Sequence, residues 1–182
     1  MKQLALALAL VGTCALPLSP LSAAALETYE ARAAASDAAA QARSDMLEAF
    51  GDTLLEPGKY LWRDVPASAG AERLVVSLGD QLAYLYRGNT LVAVSTISSG
   101  KPGNDTPTGI FTVLDKKEMH RSRKYDNAPM PFMQRIDRFG IALHAGHNPG
   151  RPASHGCVRL PEGFAKKLFT ATDVGTPVYI GA

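Results

Sequence analysis

The chain has 182 residues, with 19 Lys and Arg against 17 Asp and Glu, a formal net charge of +2 and 46% hydrophobic residues. That length fits one domain with a modest tail, and the composition is that of a soluble, globular protein. The near balance of charge, without a basic tract, argues against a nucleic-acid partner.

The first segment sets the compartment. Met1-Lys2 is a short basic start, Leu4 to Val11 is uniformly apolar, and Pro17 and Pro20 break the run. Ser22-Ala23-Ala24-Ala25 then offers small residues for cleavage. Residues 1–25 therefore read as a secretory signal peptide, cleaved after Ala24 or Ala25, because the apolar run is too short for a spanning helix. The alternative is an uncleaved N-terminal anchor. Cys14 falls in the discarded segment, and Thr13 stands where a lipoprotein signal prefers Gly or Ala. The mature chain is expected to be exported, to the periplasm or the wall side of the membrane.

Residues 26–50 are rich in Ala and hold no Gly or Pro until Gly51. Such a run has strong helix propensity, but Ala buries little area. An exposed or loosely docked helix is expected, a candidate spacer from membrane or wall. A linker with Pro57-Gly58, Pro66 and Gly70 follows, so that 26–70 form a helical segment plus connector and 71–182 a second unit.

From residue 71 the pattern is that of strands. Leu74 to Leu78 is β-rich and stops at Gly79-Asp80. Gln81 to Tyr86 alternates Leu82, Tyr84 and Tyr86 against Ala83 and Leu85. Arg87-Gly88-Asn89 is a turn, and Leu91 to Ile97 a third strand. After the loop from Ser98 to Pro107, Thr108 to Leu114 is a fourth. Gly140 to His144 is a short buried strand. Glu162 to Thr170 has helical spacing, with Phe164, Ala165, Leu168 and Phe169 on its apolar face and Pro161 at its start. Pro177 to Ile180 closes as a strand. The fold class expected is mainly β, a sandwich or barrel, with a short helix late in the chain and a helical segment at its start.

With the leader removed, Cys157 is the one cysteine, in Ser154-His155-Gly156-Cys157-Val158-Arg159. A lone thiol in an oxidising compartment is a liability unless it does chemistry. A free thiol titrates near ~8.5, so it needs a base or a cation to act as a nucleophile at neutral pH. His144, at the end of a strand, can take the proton. The thiolate would attack a carbonyl, and the N–H groups of Gly156 and Cys157 could face the oxyanion that results. A bound amine or water would then take the acyl group. For a bare cysteine the commoner role is that of a small buried hydrophobe, but Gly156, the flanking histidines and the exported context favour chemistry. His155 reads equally as a strut or as support for an oxyanion hole, with the role of base less favoured. His147 reads as an exposed turn residue. Arg159 reads equally as an ion-pair partner or a substrate contact.

A metal site on His144, His147, His155 and Cys157 is the competing reading. The spacing matches no strong zinc pattern, and the loop has no carboxylate to act as base. No metal and no cofactor are predicted.

These residues carry a family resemblance. The run from Ser154 to Arg159 with upstream His144 resembles the signature of the L,D-transpeptidase catalytic domain, the YkuD-like fold, over about residues 72 to 181. Ser98-Ser99-Gly100-Lys101-Pro102 followed by Thr106-Pro107-Thr108-Gly109-Ile110-Phe111 is similar to the family's glycine loop and strand entry. Ala128 to Met133, ahead of Gly140 to His144, looks like its substrate-cleft segment.

The resemblance implies a YkuD-like β-sandwich acting on peptidoglycan. Such enzymes cleave the bond between L-Lys or meso-diaminopimelate and a terminal D-Ala in a tetrapeptide stem. They hold the acyl group on cysteine and pass it to an amine of a neighbouring stem, or sometimes to a lipoprotein lysine. By position, Cys157 would be the nucleophile and His144 its base. Ser154, His155, Gly156 and Arg159 would line the oxyanion hole and substrate site. No oligomeric state is implied. Two other functions share the pattern: an L,D-carboxypeptidase with water as acceptor, and a non-catalytic wall-binding protein on the same scaffold. The second predicts a damaged catalytic segment, whereas Cys157, His144 and Gly156 are all present.

Overall fold

The computed structural model of the protein describes residues 25–51 and 54–182. The stretch read as an export leader lies outside these residues, apart from Ala25. Helix α1 spans Tyr29–Phe50. Strands β1 (Tyr60–Trp62), β2 (Glu72–Ser77), β3 (Leu82–Arg87), β4 (Thr90–Thr96) and β5 (Gly109–Thr112) follow. Then come β6 (Asp115–Arg121), β7 (Pro129–Arg135), β8 (Ala142–Ala145), β9 (Val158–Leu160), helix α2 (Glu162–Ala171) and β10 (Pro177–Gly181). Two sheets result, a six-stranded one in the order β1-β4-β3-β2-β10-β5 and a four-stranded one in the order β6-β7-β8-β9. The expected mainly β sandwich, with one helix at the start and a short one late in the chain, is what the chain forms. Among the described residues no helix is long and apolar enough to cross a membrane.

Side-chain alternation decides the layering. Leu74, Val76, Ala83, Leu85, Val178 and Ile180 face the second sheet and meet Leu143, Val158 and Leu160 from it. Their neighbours Val75, Tyr84, Tyr86 and Tyr179 point the other way, toward α1. Both faces of the larger sheet are thus buried, which explains why its strands read as nearly continuous apolar runs. One irregularity breaks the rule: Leu85 lies opposite Ala93 but Tyr86 lies opposite Leu91. Val92 is the extra residue of this bulge, so Val92 and Ala93 both join the inter-sheet core. Helix α2 adds Phe164, Ala165 and Leu168 to that core, and Tyr60 and Trp62 of β1 pack their rings on Phe164.

The expectation of a loosely docked α1 needs correction. Thr28 caps it, its hydroxyl accepting from Ala31 N–H at 3.2 Å, and Ala31, Ala35, Ala39, Ala42 and Met46 form one buried stripe. Small residues let the helix backbone come close, so a stripe poor in apolar area still docks. At Gly181 of β10 the approach is tightest, since a Cβ there would lie 2.6 Å from Ala35 O and 2.8 Å from Ser36 Cα. The Tyr86 hydroxyl also donates to the Asp45 carboxylate at 2.6 Å. Part of the expected linker is likewise structured, because β1 pairs with β4. Gly181→Ala is expected to destabilise the protein by about 1–3 kcal/mol through this overlap. Urea denaturation checks it, and an unchanged midpoint would show that the helix can be displaced freely.

Candidate active site

The outer face of the four-stranded sheet carries the candidate residues. β8 and β9 run parallel, with Leu143 opposite Val158 and His144 opposite Arg159. Leu143 and Val158 are spent on the inter-sheet core. Successive side chains alternate, so Ala142 and His144, with Cys157 and Arg159 alongside, turn to the opposite face. Cys157 is half-buried there and packs with Met130, Met133 and Ala142. Met130 and Met133 are three apart on β7, where strict alternation would separate them. Phe132 between them adopts φ +54° and breaks the alternation, while its own ring packs on Phe169 of α2.

The loop ahead of β8 is built on Asp137. Its Oδ1 accepts from the N–H groups of Phe139 at 2.9 Å, Gly140 at 2.7 Å and Ile141 at 2.7 Å. That fixes the Gly140 carbonyl, which accepts from the Cys157 thiol at 3.8 Å. Burial pushes the Cys157 thiol above its ordinary value; the Ala142 N–H opposes this and the Asp137 carboxylate reinforces it.

His144 is buried, and its Nδ1 lies 2.8 Å from Ala145 O. A carbonyl oxygen only accepts, so Nδ1 carries the proton and Nε2 keeps its lone pair. Burial holds the imidazole below its usual range; the Ala145 carbonyl opposes this, and Arg159 and His120 add to the lowering. A raised thiol and a lowered imidazole make a neutral pair the resting state at pH 7, rather than a thiolate–imidazolium pair. A neutral imidazole is the form that accepts a proton. Alkylation of Cys157 by iodoacetamide should therefore inflect above the ordinary thiol value. The acid limb of acylation should lie below ~6.5, the ordinary imidazole value. An acid limb above that value would contradict the burial effect.

The cysteine loop is clamped by the segment from Ser98 to Thr106. Ala153 and Ser154 N–H both donate to Ser99 O at 2.9 Å, and Lys101 N–H donates to Ser154 O at 3.0 Å. Gln81 holds Ser99 from behind, its amide donating to Ser99 Oγ at 2.8 Å while its Oε1 accepts from Ser99 N–H at 3.0 Å. Thr106 Oγ1 donates to Gly156 O at 2.8 Å and accepts from Gly100 N–H at 2.9 Å. Gly156 adopts φ +111°, and a Cβ there would lie 2.7 Å from Ile141 Cδ1. Only glycine meets both conditions.

One expected contact is absent. The Gly156 N–H, expected to face an oxyanion, donates instead to Ser154 Oγ at 3.1 Å, and that hydroxyl donates to Cys157 O. Ser154 is thus a buried brace of the loop. Among the described residues the N–H groups of His155 and Cys157 find no protein acceptor. Both N–H groups are thus without a protein partner among these residues.

The other candidates separate clearly. His155 is exposed and stacks on Tyr125, with ring centroids 4.4 Å apart and planes at 24°. Tyr125 lies in the turn between β6 and β7, so that hairpin folds against the cysteine loop. Arg159 and His144 lie side by side at Gly146, where a Cβ would meet Arg159 Cγ at 3.2 Å and His144 Cε1 at 3.4 Å. Arg159 forms no ion pair among the described residues. His147 is exposed. No three His, Cys, Asp or Glu side chains among the described residues form a group that could hold a metal. Asp137, Tyr125 and the Ala145 carbonyl were not singled out in the sequence. Asp137, three residues before Gly140, carried the one local hint, a loop-capping spacing.

A half-buried thiol, a buried imidazole on the same sheet face and a clamped glycine turn define a cysteine–histidine site on a β-sandwich. The L,D-transpeptidase catalytic domain family, YkuD, matches residues 71–180, and the chain belongs to it. The probable L,D-transpeptidase YbiS of Escherichia coli K12 is 29% identical over 134 residues, covering 59% of this chain and 44% of YbiS. The chain thus spans under half the length of that relative. An L,D-transpeptidase from Xylanimonas cellulosilytica superposes with a TM-score of 0.56 at 26% identity, over 65% of this chain and 64% of that one. L,D-transpeptidase 3 from Mycobacterium tuberculosis, solved with a faropenem-derived adduct, superposes at 0.56 with 22% identity, over 62% and 60% of the two chains.

Proposed function

We propose that the protein is an exported peptidoglycan L,D-transpeptidase in which Cys157 carries the acyl group. The observation that carries this reading is the pairing of β8 with β9. It sets Cys157 beside Ala142 and turns His144 to the same sheet face with Nδ1 tied to Ala145 O. Nε2 of His144 takes the thiol proton as sulfur attacks the carbonyl of the residue before the terminal D-Ala. The N–H groups of His155 and Cys157 face the oxyanion. The C–N bond then breaks, His144 returns the proton to the departing D-Ala amine, and a thioester remains. An acceptor amine, from a second stem or a lipoprotein lysine, attacks the thioester and frees the thiol. The leader-like residues 1–25 support export to the periplasm or wall side, where such stems are found.

Mass spectrometry of purified tetrapeptide muropeptides after incubation with the protein tests this. Cross-linked dimers are expected. Tripeptide alone would make the protein an L,D-carboxypeptidase, and unchanged substrate would overturn the reading. Turnover is also expected to survive EDTA, because a thiolate bound to zinc is a poor free nucleophile. Activity lost to EDTA and restored by zinc would refute the metal-free mechanism.

A further inference from the structure

The loop between β7 and β8 holds a feature that the acyl-transfer step does not use. Phe139 is 74% exposed, and the Arg138 guanidinium lies over its ring, 4.8 Å from the centroid. A single exposed aromatic is ordinary on a protein surface. This one is held out by a rigid loop, since Asp137 takes the N–H of Phe139 and of the next two residues on one carboxylate oxygen. It also stands one residue from the Gly140 carbonyl that touches the Cys157 sulfur. Tyr29 is 83% exposed too, but it opens α1, which packs on the other sheet, away from the thiol.

Two cations and one carboxylate stand at this rim, and the carboxylate, Asp137, has its Oδ1 occupied by three N–H donors. Arg135 turns its guanidinium to the Asp137 carbonyl at 2.9 Å. Arg138 is exposed, and among the described residues no carboxylate pairs with it. One face of the Phe139 ring supports the cation, and a guanidinium stacked on a ring keeps its N–H donors available to a carboxylate.

We propose that Arg138 and Phe139 form a specificity platform for the donor peptide. The guanidinium binds a side carboxylate of an acidic stem, and the open ring edge packs on the methylene chain that bears it. This rests on the reading of the protein as a transpeptidase, and it names the substrate feature that the site selects. The pair positions substrate and takes no part in bond making.

The test uses the full protein with a tetrapeptide stem and with the same peptide amidated at its side carboxylates. Arg138→Glu is expected to raise KM for thioester formation from the acidic stem about fivefold or more, the scale of an exposed ion pair, with kcat little changed. Arg138→Lys should recover part of the loss, and Phe139→Ala should raise KM for both peptides. The amidated peptide should bind wild type more weakly and be indifferent to Arg138→Glu. Iodoacetamide alkylation of Cys157 should be unchanged in every variant, which shows the thiol site intact. Equal KM for the acidic stem in wild type and Arg138→Glu would overturn the platform and leave the transpeptidase reading standing. Titration of the stem into Cys157→Ala protein separates the converse case. Binding that depends on Arg138, with no thioester formed by wild type, would keep the platform and sink the transpeptidase reading. No binding to wild type or Cys157→Ala protein would overturn both.

Discussion

Incubation with a carbapenem is expected to leave a covalent adduct on the wild-type protein, and Cys157→Ala is expected to abolish both that adduct and turnover of tetrapeptide stems. The thiol is the atom on which the acyl group would rest, and no other cysteine occurs beyond the leader-like segment. Removing a nucleophile removes the intermediate itself, so the effect is a loss and not a slowing. Intact-mass spectrometry after incubation with a carbapenem reads the adduct directly. The substitution should leave the fold in place, because Cys157 is only half-buried and its packing partners are flexible methionines and Ala142. Turnover that persists in a well-folded Cys157→Ala protein would end the assignment of the nucleophile.

The second large effect separates two histidines. His144→Ala is expected to slow acylation of Cys157 by about 10²-fold or more, the scale of a lost general base. The imidazole is oriented by Ala145 O, sits on a strand and is kept neutral by burial, which are the attributes of a base at pH 7. His155→Ala should retain measurable acylation. Its ring stacks on Tyr125, while the groups it would lend to chemistry are backbone atoms that the substitution preserves. Stopped-flow acylation by a β-lactam, with circular dichroism to confirm folding, compares the two. A deader His155→Ala protein would mean the roles are reversed.

Much of the architecture was legible because burial on both faces leaves a plain signal. β2, β3, β4 and β10 are apolar or alternating runs, and α2 shows its buried face at helical spacing. What was missed has physical reasons. β6 is almost all charged and mostly exposed, so it has no alternation to read. β7 contains Pro129 and Pro131 and is bent by the left-handed Phe132, and proline in a run ordinarily argues against a strand. β1 and β9 are three residues each, and β9 lies inside the motif that drew the chemical argument. The docking of α1 was underestimated because alanine counts for little on area, although the stripe at 31, 35, 39, 42 and 46 has the spacing of a buried face. At the site, side chains were legible and backbone groups were not. The Ala145 carbonyl that orients His144 could belong to any residue type. The diversion of Gly156 N–H to Ser154 Oγ depends on a turn geometry that composition does not reveal.

The place of β10 in the larger sheet bears on how the protein can mature. β10 is drawn from residues 177–181 yet lies between β2 and β5, with Val178 opposite Leu74 and Phe111. The first described helix also rests on this late strand, at Gly181. A chain that emerges from a ribosome or a translocation pore with its start first must therefore hold β2, β3 and β4 with an open edge until β10 arrives. Through that interval the apolar strands offer unpaired backbone groups to other chains. Pairing of β10 then completes the sheet and adds the last of the strands on which α1 rests. Vectorial synthesis and this topology run in opposite senses, so the open edge persists for as long as the intervening residues take to emerge.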